Sequence, residues 1–271
     1  MMAVRLGAVG YLNARPLVYG LEHTPQFDLR FDVPSTCARL LHAHDIDVGL
    51  IPSIECLRGP RPYLIVPGLA IASRGPVASV AVYTRRDPVD VRSIAMDTSS
   101  RTSVALTTVL FHRVFKASPS HVDAAPDVEQ MLASADAALL IGDNALLLDH
   151  ARLGLSKIDL GELWTATTGL PFVYAFWAGW PGAVSPEDTR ELQLARDAGV
   201  KHPGEIARLY FADSPGRQGL GEQYLRDNIK YGLGREELEG LRRFYQYADE
   251  LKLVSFSGSL DFYHADHRGA D

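Results

Sequence analysis

The sequence predicts an α/β protein of two domains with a ligand cleft between them. Three observations carry this expectation. Strand-like and helix-like stretches alternate over about the first 180 residues, which implies mostly parallel sheets covered on both faces. A charged, proline-containing break, Arg85-Arg86-Asp87-Pro88, separates one group of strands from the next. A last apolar run at residues 172–178 leads into a region of helices alone, with no strands left to build a further sheet. The economical path leaves a first domain near residue 84 and returns near 176. Residues 1–84 and 177–271 would then form a discontinuous first α/β domain, and residues 85–176 an inserted second one.

Each element has a local reason. Residues 4–11 are apolar and strand-like, and a helix follows that Asn13 can cap, with Pro16 in its first turn. Residues 29–33 alternate as a strand, and Pro34-Ser35 opens a helix ending near His44. Residues 48–51 form a short buried strand, and Pro52-Ser53 opens another helix. Residues 64–72 and 77–83 read as strands split by the turn Ser73-Arg74-Gly75-Pro76. Then come a strand at 93–96, helices at 102–115 and 127–135, a strand at 137–141 and a helix at 143–153. Beyond Pro181, residues 186–198, 203–212, 222–231 and 235–253 look like consecutive amphipathic helices. In the last, Leu238, Leu241, Tyr245, Ala248 and Leu251 fall at helical spacing, the mark of a packing stripe.

Composition narrows the function. A chain of 271 residues can hold two ordinary domains, and 46% hydrophobic with 22% charged residues is usual for a soluble globular protein. A net charge of −6 without any basic run argues against a nucleic-acid surface. No apolar stretch is long enough for a membrane span. The first residues run straight into a strand pattern without a charged leader and apolar core, so a cytoplasmic protein is expected. Cys37 and Cys56 are too few for a disulfide framework and sit in helical patterns as small hydrophobes. His42 and His44 cannot share a helix face, and His264, Asp266 and His267 lie in a polar tail. Neither a metal nor a cofactor is expected.

One stretch stands apart. The strand at 93–96 runs into Asp97-Thr98-Ser99-Ser100-Arg101-Thr102-Ser103, where a helix begins. Hydroxyl residues at a helix start cap free backbone N–H groups, and those groups with the helix dipole also favour an anion. The planar fork of Arg101 matches a carboxylate or phosphate, which turns a capped helix into an anion clamp. The six polar side chains from Thr98 to Ser103 exceed what one cap needs.

Other polar groups fall where open α/β sheets bind ligands, beyond the carboxyl ends of strands. Asn13 follows the first strand, Ser53 and Glu55 the third, and Gly142-Asp143-Asn144 the strand at 137–141, while Gly169-Leu170-Pro171 precedes the returning strand. Asn13 and Asp143 could be simple caps, and Glu55 a first-turn carboxylate favoured by the dipole. Ser79 lies inside an apolar strand, where a hydroxyl needs a partner. Gly7-Ala8-Val9-Gly10 lacks the third glycine of a dinucleotide loop, and no Gly-Lys-Ser/Thr phosphate loop exists. Ser255-Phe256-Ser257-Gly258-Ser259 is not a nucleophile elbow. The candidate set holds no histidine, lysine or cysteine, which limits its chemistry.

Taken in order, Gly10-Tyr11-Leu12-Asn13-Ala14-Arg15-Pro16-Leu17, Ile51-Pro52-Ser53-Ile54-Glu55, Gly75-Pro76-Val77-Ala78-Ser79-Val80, Thr98-Ser99-Ser100-Arg101-Thr102-Ser103, Ala137-Ala138-Leu139-Leu140-Ile141-Gly142-Asp143 and Thr168-Gly169-Leu170-Pro171-Phe172-Val173 together resemble the chorismate dehydratases of the futalosine route to menaquinone. The resemblance spans about residues 4–180 and rests on the ordered set; the helical remainder matches weakly. The sister dihydroxynaphthoate synthases carry Pro-Asn-Asp-Thr near their start, where this chain has Asn13-Ala14-Arg15-Pro16. The resemblance implies a two-domain periplasmic-binding-protein-like fold of type II. It also implies a lyase that removes water from chorismate to give 3-[(1-carboxyvinyl)oxy]benzoate.

On this reading Asn13 and Ser79 are the catalytic pair, orienting the enolpyruvyl carboxylate and the departing hydroxyl. Residues 99–103 hold the ring carboxylate. Ser53, Thr98, Gly142, Asp143, Gly169, Leu170 and Pro171 complete the substrate-binding set. The substrate's own enolpyruvyl carboxylate, rather than Glu55 or Asp143, is expected to take the ring proton. The same fold also serves solute-binding proteins, so a cytosolic solute-binding or sensor protein for a small aromatic carboxylate is the second reading.

Overall fold

A computed structural model describes residues 3–264. His267 and Asp266 of the polar tail lie outside the described residues. The chain builds two mixed sheets. In the first, β1 (Val4–Val9) pairs in parallel with β2 (Phe27–Asp32) and β3 (Val48–Pro52), and β11 (Phe172–Gly179) runs antiparallel beside β3. Two short strands, β4 (Leu64–Ile65) and β5 (Ile71–Ser73), pair with different stretches of β11. The second sheet has the order β10-β6-β9-β7-β8, from β6 (Val80–Thr84), β7 (Ser93–Asp97), β8 (Ser120–Ala124), β9 (Ala137–Ile141) and β10 (Ser156–Asp159).

Helices α1 (Pro34–His42), α2 (Thr102–Leu110), α3 (Val128–Ser134), α4 (Gly142–Leu146) and α5 (Leu160–Thr168) connect the strands. Then α6 (Pro186–Gly199), α7 (Pro203–Tyr210), α8 (Gln218–Gln223) and α9 (Arg235–Glu250) follow β11. Wider π-type turns extend α2 through Phe111–Phe115 and α8 through Tyr224–Asn228. Prolines open α1, α6 and α7, where a missing N–H costs nothing. Ser185 and Asp188 close a capping box on α6.

The sheets depart from the expected parallel arrangement. β6 runs antiparallel to β9 and β10, and β11 antiparallel to all its partners. Both strands are buried at every position, and a continuous apolar run reads the same in either direction.

The crossing also lies elsewhere than expected. Val80 to Thr84 register against Ile141 to Ala137, so β6 belongs wholly to the second sheet. The chain therefore crosses through residues 74–79, ahead of 84, and returns through residues 169–171, ahead of 176. Arg85-Arg86-Asp87-Pro88 is a surface loop within the second domain, where Asp87 caps a short turn by accepting from the Val89 amide. The composition break marked solvent, not a domain boundary.

Several local expectations change in detail. The run at 64–72 breaks at Pro67-Gly68, where Gly68 has a positive φ. The segment after Asp143 is helical only to Leu146. Asn13 lies in a tight helical turn, Leu12–Val18, with no side-chain cap. β8, β10 and α5 were not anticipated, because their mixed polar sequences carry little periodicity. The stripe on α9 packs as expected, with Leu241, Tyr245 and Ala248 buried and Phe244 beside them. Phe244 meets Phe172 of β11 edge to face at 4.9 Å between ring centroids, which seats α9 on the first sheet. Cys37 is buried and Cys56 partly so, and burial pushes both thiols up to about 12.

Candidate active site

A cavity lies where the two sheets face each other. Val9, Pro52, Ile71, Ile141 and Ala175 form its apolar walls, and Tyr11, Asn13, Ser79, Ser100, Ser103 and Tyr174 supply polar groups. It encloses about 60 Å³, against the roughly 300–1,000 Å³ of ordinary ligand sites. Hydrogen bonds between Tyr11 and Ser99 and from the Leu12 amide to Asp143 join the two halves across it.

One wall is the start of α2. Ser99 donates to Asp97 Oδ1 from both its amide (2.9 Å) and its hydroxyl (2.6 Å), which turns the chain sharply at the end of β7. Helix α2 then begins at Thr102 without a side-chain cap. Thr102 at its first turn and the buried Ser100 and Ser103 border the cavity, and a helix start is suited to an anion. Arg101 borders it too, exposed and without an ion pair among the described residues. Thr102 is already engaged, accepting from the Ile54 amide at 3.2 Å. Ser53 turns away, donating to the Val173 carbonyl at 2.9 Å. Thr98 is exposed and Ser53 fully buried, and neither belongs to the lining.

The opposite wall carries Asn13 and Ser79. Ser79 is fully buried and accepts a 2.6 Å hydrogen bond from Tyr224 Oη, the partner its burial demands. The Asn13 amide lies beside the same tyrosine hydroxyl, while Asn13 Oδ1 is buried without a hydrogen-bond partner among the described residues. Burial pushes the Tyr224 hydroxyl well above its ordinary value, so it stays a proton donor to Ser79.

Backbone geometry sets the direction of Ser79. Ala78 has φ +64°, and the Ser79 amide donates to the Val77 carbonyl at 2.8 Å, a tight three-residue turn. For a residue with a Cβ this conformation costs about 1–3 kcal/mol, which the surroundings must supply. Gly199 shapes the Asn13 turn, since a Cβ there would come within 2.2 Å of the Pro16 carbonyl oxygen.

Asp143 does not line the cavity. Its carboxylate bridges the lips of the cleft, accepting from the Leu12 amide at 3.3 Å and from Tyr210 Oη. Burial pushes its pKa up against those bonds. Gly142, φ +58°, touches Tyr11, whose hydroxyl meets Ser99 Oγ at 3.2 Å. Glu55 is likewise committed elsewhere. His42 and Arg58 hold it at 3.0 and 3.1 Å. Desolvation pushes its pKa up, but these bonds outweigh it and leave the carboxyl below its ordinary value.

Gly169, Leu170 and Pro171 are not at the cavity. They form the returning crossover, where the Pro171 carbonyl accepts from Trp164 Nε1 at 3.1 Å. Of the expected residues, Asn13, Ser79, Ser100, Arg101, Thr102, Ser103 and Gly142 converge on the cavity. Ser99 and Asp143 hold its lips instead. Tyr11, Tyr174 and Tyr224 were missed. Tyr11 stood inside a quoted motif, Tyr174 was hidden in an apolar run, and Tyr224 had no local signal at all.

Closure makes a prediction. If the cleft takes the chorismate that the sequence resemblance implies, the radius of gyration of the wild type should fall when a non-reactive chorismate analogue binds. A Cβ at Gly142 would come within 2.7 Å of the Tyr11 ring, so Gly142→Ala should stay open and raise KM by about tenfold. Equal radii with and without ligand in the wild type would remove the hinge.

The two-sheet architecture with a closed interdomain cavity is that of a periplasmic-binding-protein-like fold of type II. The periplasmic aliphatic sulphonate binding protein of Escherichia coli superposes with a TM-score of 0.60 at 14% identity, covering 100% of this chain and 99% of the other. An Archaeoglobus fulgidus protein superposes with a TM-score of 0.79 at 17% identity, covering 93% and 98%. A chorismate dehydratase from Thermus thermophilus is 30% identical over 256 residues, 88% of this chain and 93% of that protein. A family model described as menaquinone biosynthesis matches residues 4–250. The chain belongs to that menaquinone-biosynthesis family.

Proposed function

We propose that this protein is a chorismate dehydratase. Chorismate loses its C3 proton and C4 hydroxyl as water, leaving the aromatic ring of 3-[(1-carboxyvinyl)oxy]benzoate. The observation that carries the reading is the pairing of two complementary walls. An uncapped helix start with two buried serines faces a buried serine and an unpartnered amide oxygen. The first suits a carboxylate and the second suits a hydroxyl. A dianionic substrate with one hydroxyl to lose presents both groups.

The driving force is aromatisation, so the protein's work is to orient, to exclude water and to assist hydroxide departure. Positioning alone can lower a barrier by roughly 7–11 kcal/mol, more than the roughly 3–5 kcal/mol from a general base. Tyr224 donates to Ser79, which leaves the Ser79 proton free for the departing oxygen. Hydrogen bonds in series polarise one another, so the pair is a stronger donor than a lone serine. Asn13 Oδ1 accepts from the substrate hydroxyl and fixes its direction. The substrate's enolpyruvyl carboxylate takes the C3 proton. The reaction belongs in the cytoplasm on this reading; among the described residues no helix is long and apolar enough to cross a membrane.

Incubation of purified protein with chorismate should produce a benzoate chromophore. Tight binding without conversion would instead support the solute-binding or sensor reading. Arg101→Ala should lower kcat/KM by about tenfold, chiefly through KM. An exposed charge is screened, so its bond to a substrate carboxylate is worth only about 1–2 kcal/mol. Thermal stability should hold, since Arg101 pairs with no carboxylate among the described residues. Unchanged kinetics would remove Arg101 from the site.

A further inference from the structure

The first crossover places Ser79, and something must hold it in a conformation its own residues resist. Asp159 sits at the end of β10 as the cap of α5, accepting from the Gly161 and Glu162 amides at 3.0 and 3.1 Å. A cap needs no more than that. Yet the same carboxylate also accepts from the Val77 amide at 3.0 Å and the Ala78 amide at 2.7 Å. Lys157, two residues earlier on β10, donates from Nζ to the Ala78 carbonyl at 2.8 Å. Both peptide groups flanking Ala78 are thus tied to one edge strand, at the residue whose φ is +64°. Asp159 is almost fully buried, so water competes little for these bonds.

We propose that Asp159, assisted by Lys157, is a positioning residue for dehydration: it holds the left-handed Ala78 turn that aims Ser79 at the substrate. The inference rests on the dehydratase reading for its kinetic consequence, though the turn itself can be observed separately. Without the carboxylate, Ala78 relaxes to negative φ, and the peptide carrying Ser79 rotates. Ser79 then leaves Tyr224 and the cavity together. A misplacement of about 1 Å in such a group can lower a rate about a hundredfold. β10 is an edge strand, so the brace reaches the reacting centre from outside the cavity and touches no substrate.

Asp159→Ser separates the two duties of the residue. Serine still caps α5, keeping the fold, but its short side chain cannot reach Val77 and Ala78. The expected result is a fall in kcat of about 10–100-fold with KM within about threefold, and a lower Tm because the Val77 and Ala78 amides lose their acceptor. Ala78→Gly added to Asp159→Ser should recover most of the loss, because glycine adopts positive φ without a brace. Carbon-13 at the tyrosine Cζ positions, with the Tyr224 signal assigned by Tyr224→Phe, reports the turn independently of turnover. In Asp159→Ser the Tyr224 signal should move to its position in Ser79→Ala, and return when Ala78→Gly is added. An unmoved Tyr224 signal, or a kinetic loss that Ala78→Gly fails to relieve, overturns the brace. If the wild type does not convert chorismate, the dehydratase reading falls, while the Tyr224 signal still decides whether Asp159 holds the turn.

Discussion

Ser79→Ala is expected to lower kcat by about 10²–10³ while leaving KM within about threefold, and Asn13→Ala to lower kcat by less, since its Oδ1 orients the substrate hydroxyl without donating to it. Hydroxide leaves with developing negative charge, and a donor aimed at that charge inside a closed cavity acts mainly on the transition state. Removal of one such donor typically costs 10²–10³ in kcat. Ser79 is fully buried with its acceptor side filled by Tyr224, so its proton has no competing use in the site. Tyr224→Phe should cost less, about tenfold, since the tyrosine acts through Ser79. Ser79→Ala should also lower stability by about 1–3 kcal/mol, because it leaves the buried Tyr224 hydroxyl without an acceptor. Steady-state kinetics and thermal unfolding on the same preparations separate the two effects. A variant that raises KM but keeps kcat would show that Ser79 binds substrate and does not assist departure.

The site was legible where chemistry is written in consecutive residues. Five hydroxyls and an arginine at one helix start stood out before any packing was known, and Ser100, Arg101 and Ser103 do border the cavity. Ser79 was legible for another reason: a hydroxyl in an apolar strand has to be explained. Tyr224 could not be found this way. It comes from a helix 145 positions away in the chain, and nothing in its neighbourhood distinguishes it from a packing residue. Asp143 was placed beside the ligand because it follows a strand, but a carboxylate at that end can equally bind the opposite domain. Ser53 and the Gly169-Leu170-Pro171 segment failed similarly, being crossover and packing groups near the cleft.

The fold was legible as layers and less so as directions. Alternating strands and helices gave two sheets. The strands that break the parallel rule, β6 and β11, are the two that follow the crossovers. Their sequences, mostly apolar and buried throughout, record burial and say nothing of which neighbour lies alongside. The loop at residues 85–88 looked like a boundary because charge and proline mark solvent wherever it occurs.

A chorismate analogue without the enolpyruvyl carboxylate is expected to bind and undergo no dehydration at all, the largest effect among these expectations. The two protein carboxylates that could compete for the proton are both committed. Glu55 lies outside the cavity and is held as a carboxylate by His42 and Arg58, which lowers its basicity. Asp143 spends its oxygens on the Leu12 amide and Tyr210. Glu55→Gln and Asp143→Asn should therefore each keep turnover within about tenfold, since a general base is worth 10²–10⁴. Glu55→Gln should show its effect in stability instead. A carboxyl whose folded pKa is depressed stabilises above its unfolded value, and that contribution disappears as pH falls through the folded pKa. The variant should consequently be less stable than wild type near neutral pH, and the gap should close in acid. If Glu55→Gln or Asp143→Asn abolishes turnover in a folded protein that still binds chorismate, that carboxylate is the base. An analogue that lacks the carboxylate yet still loses water would lead to the same conclusion, because the proton would then have to leave to a group on the protein.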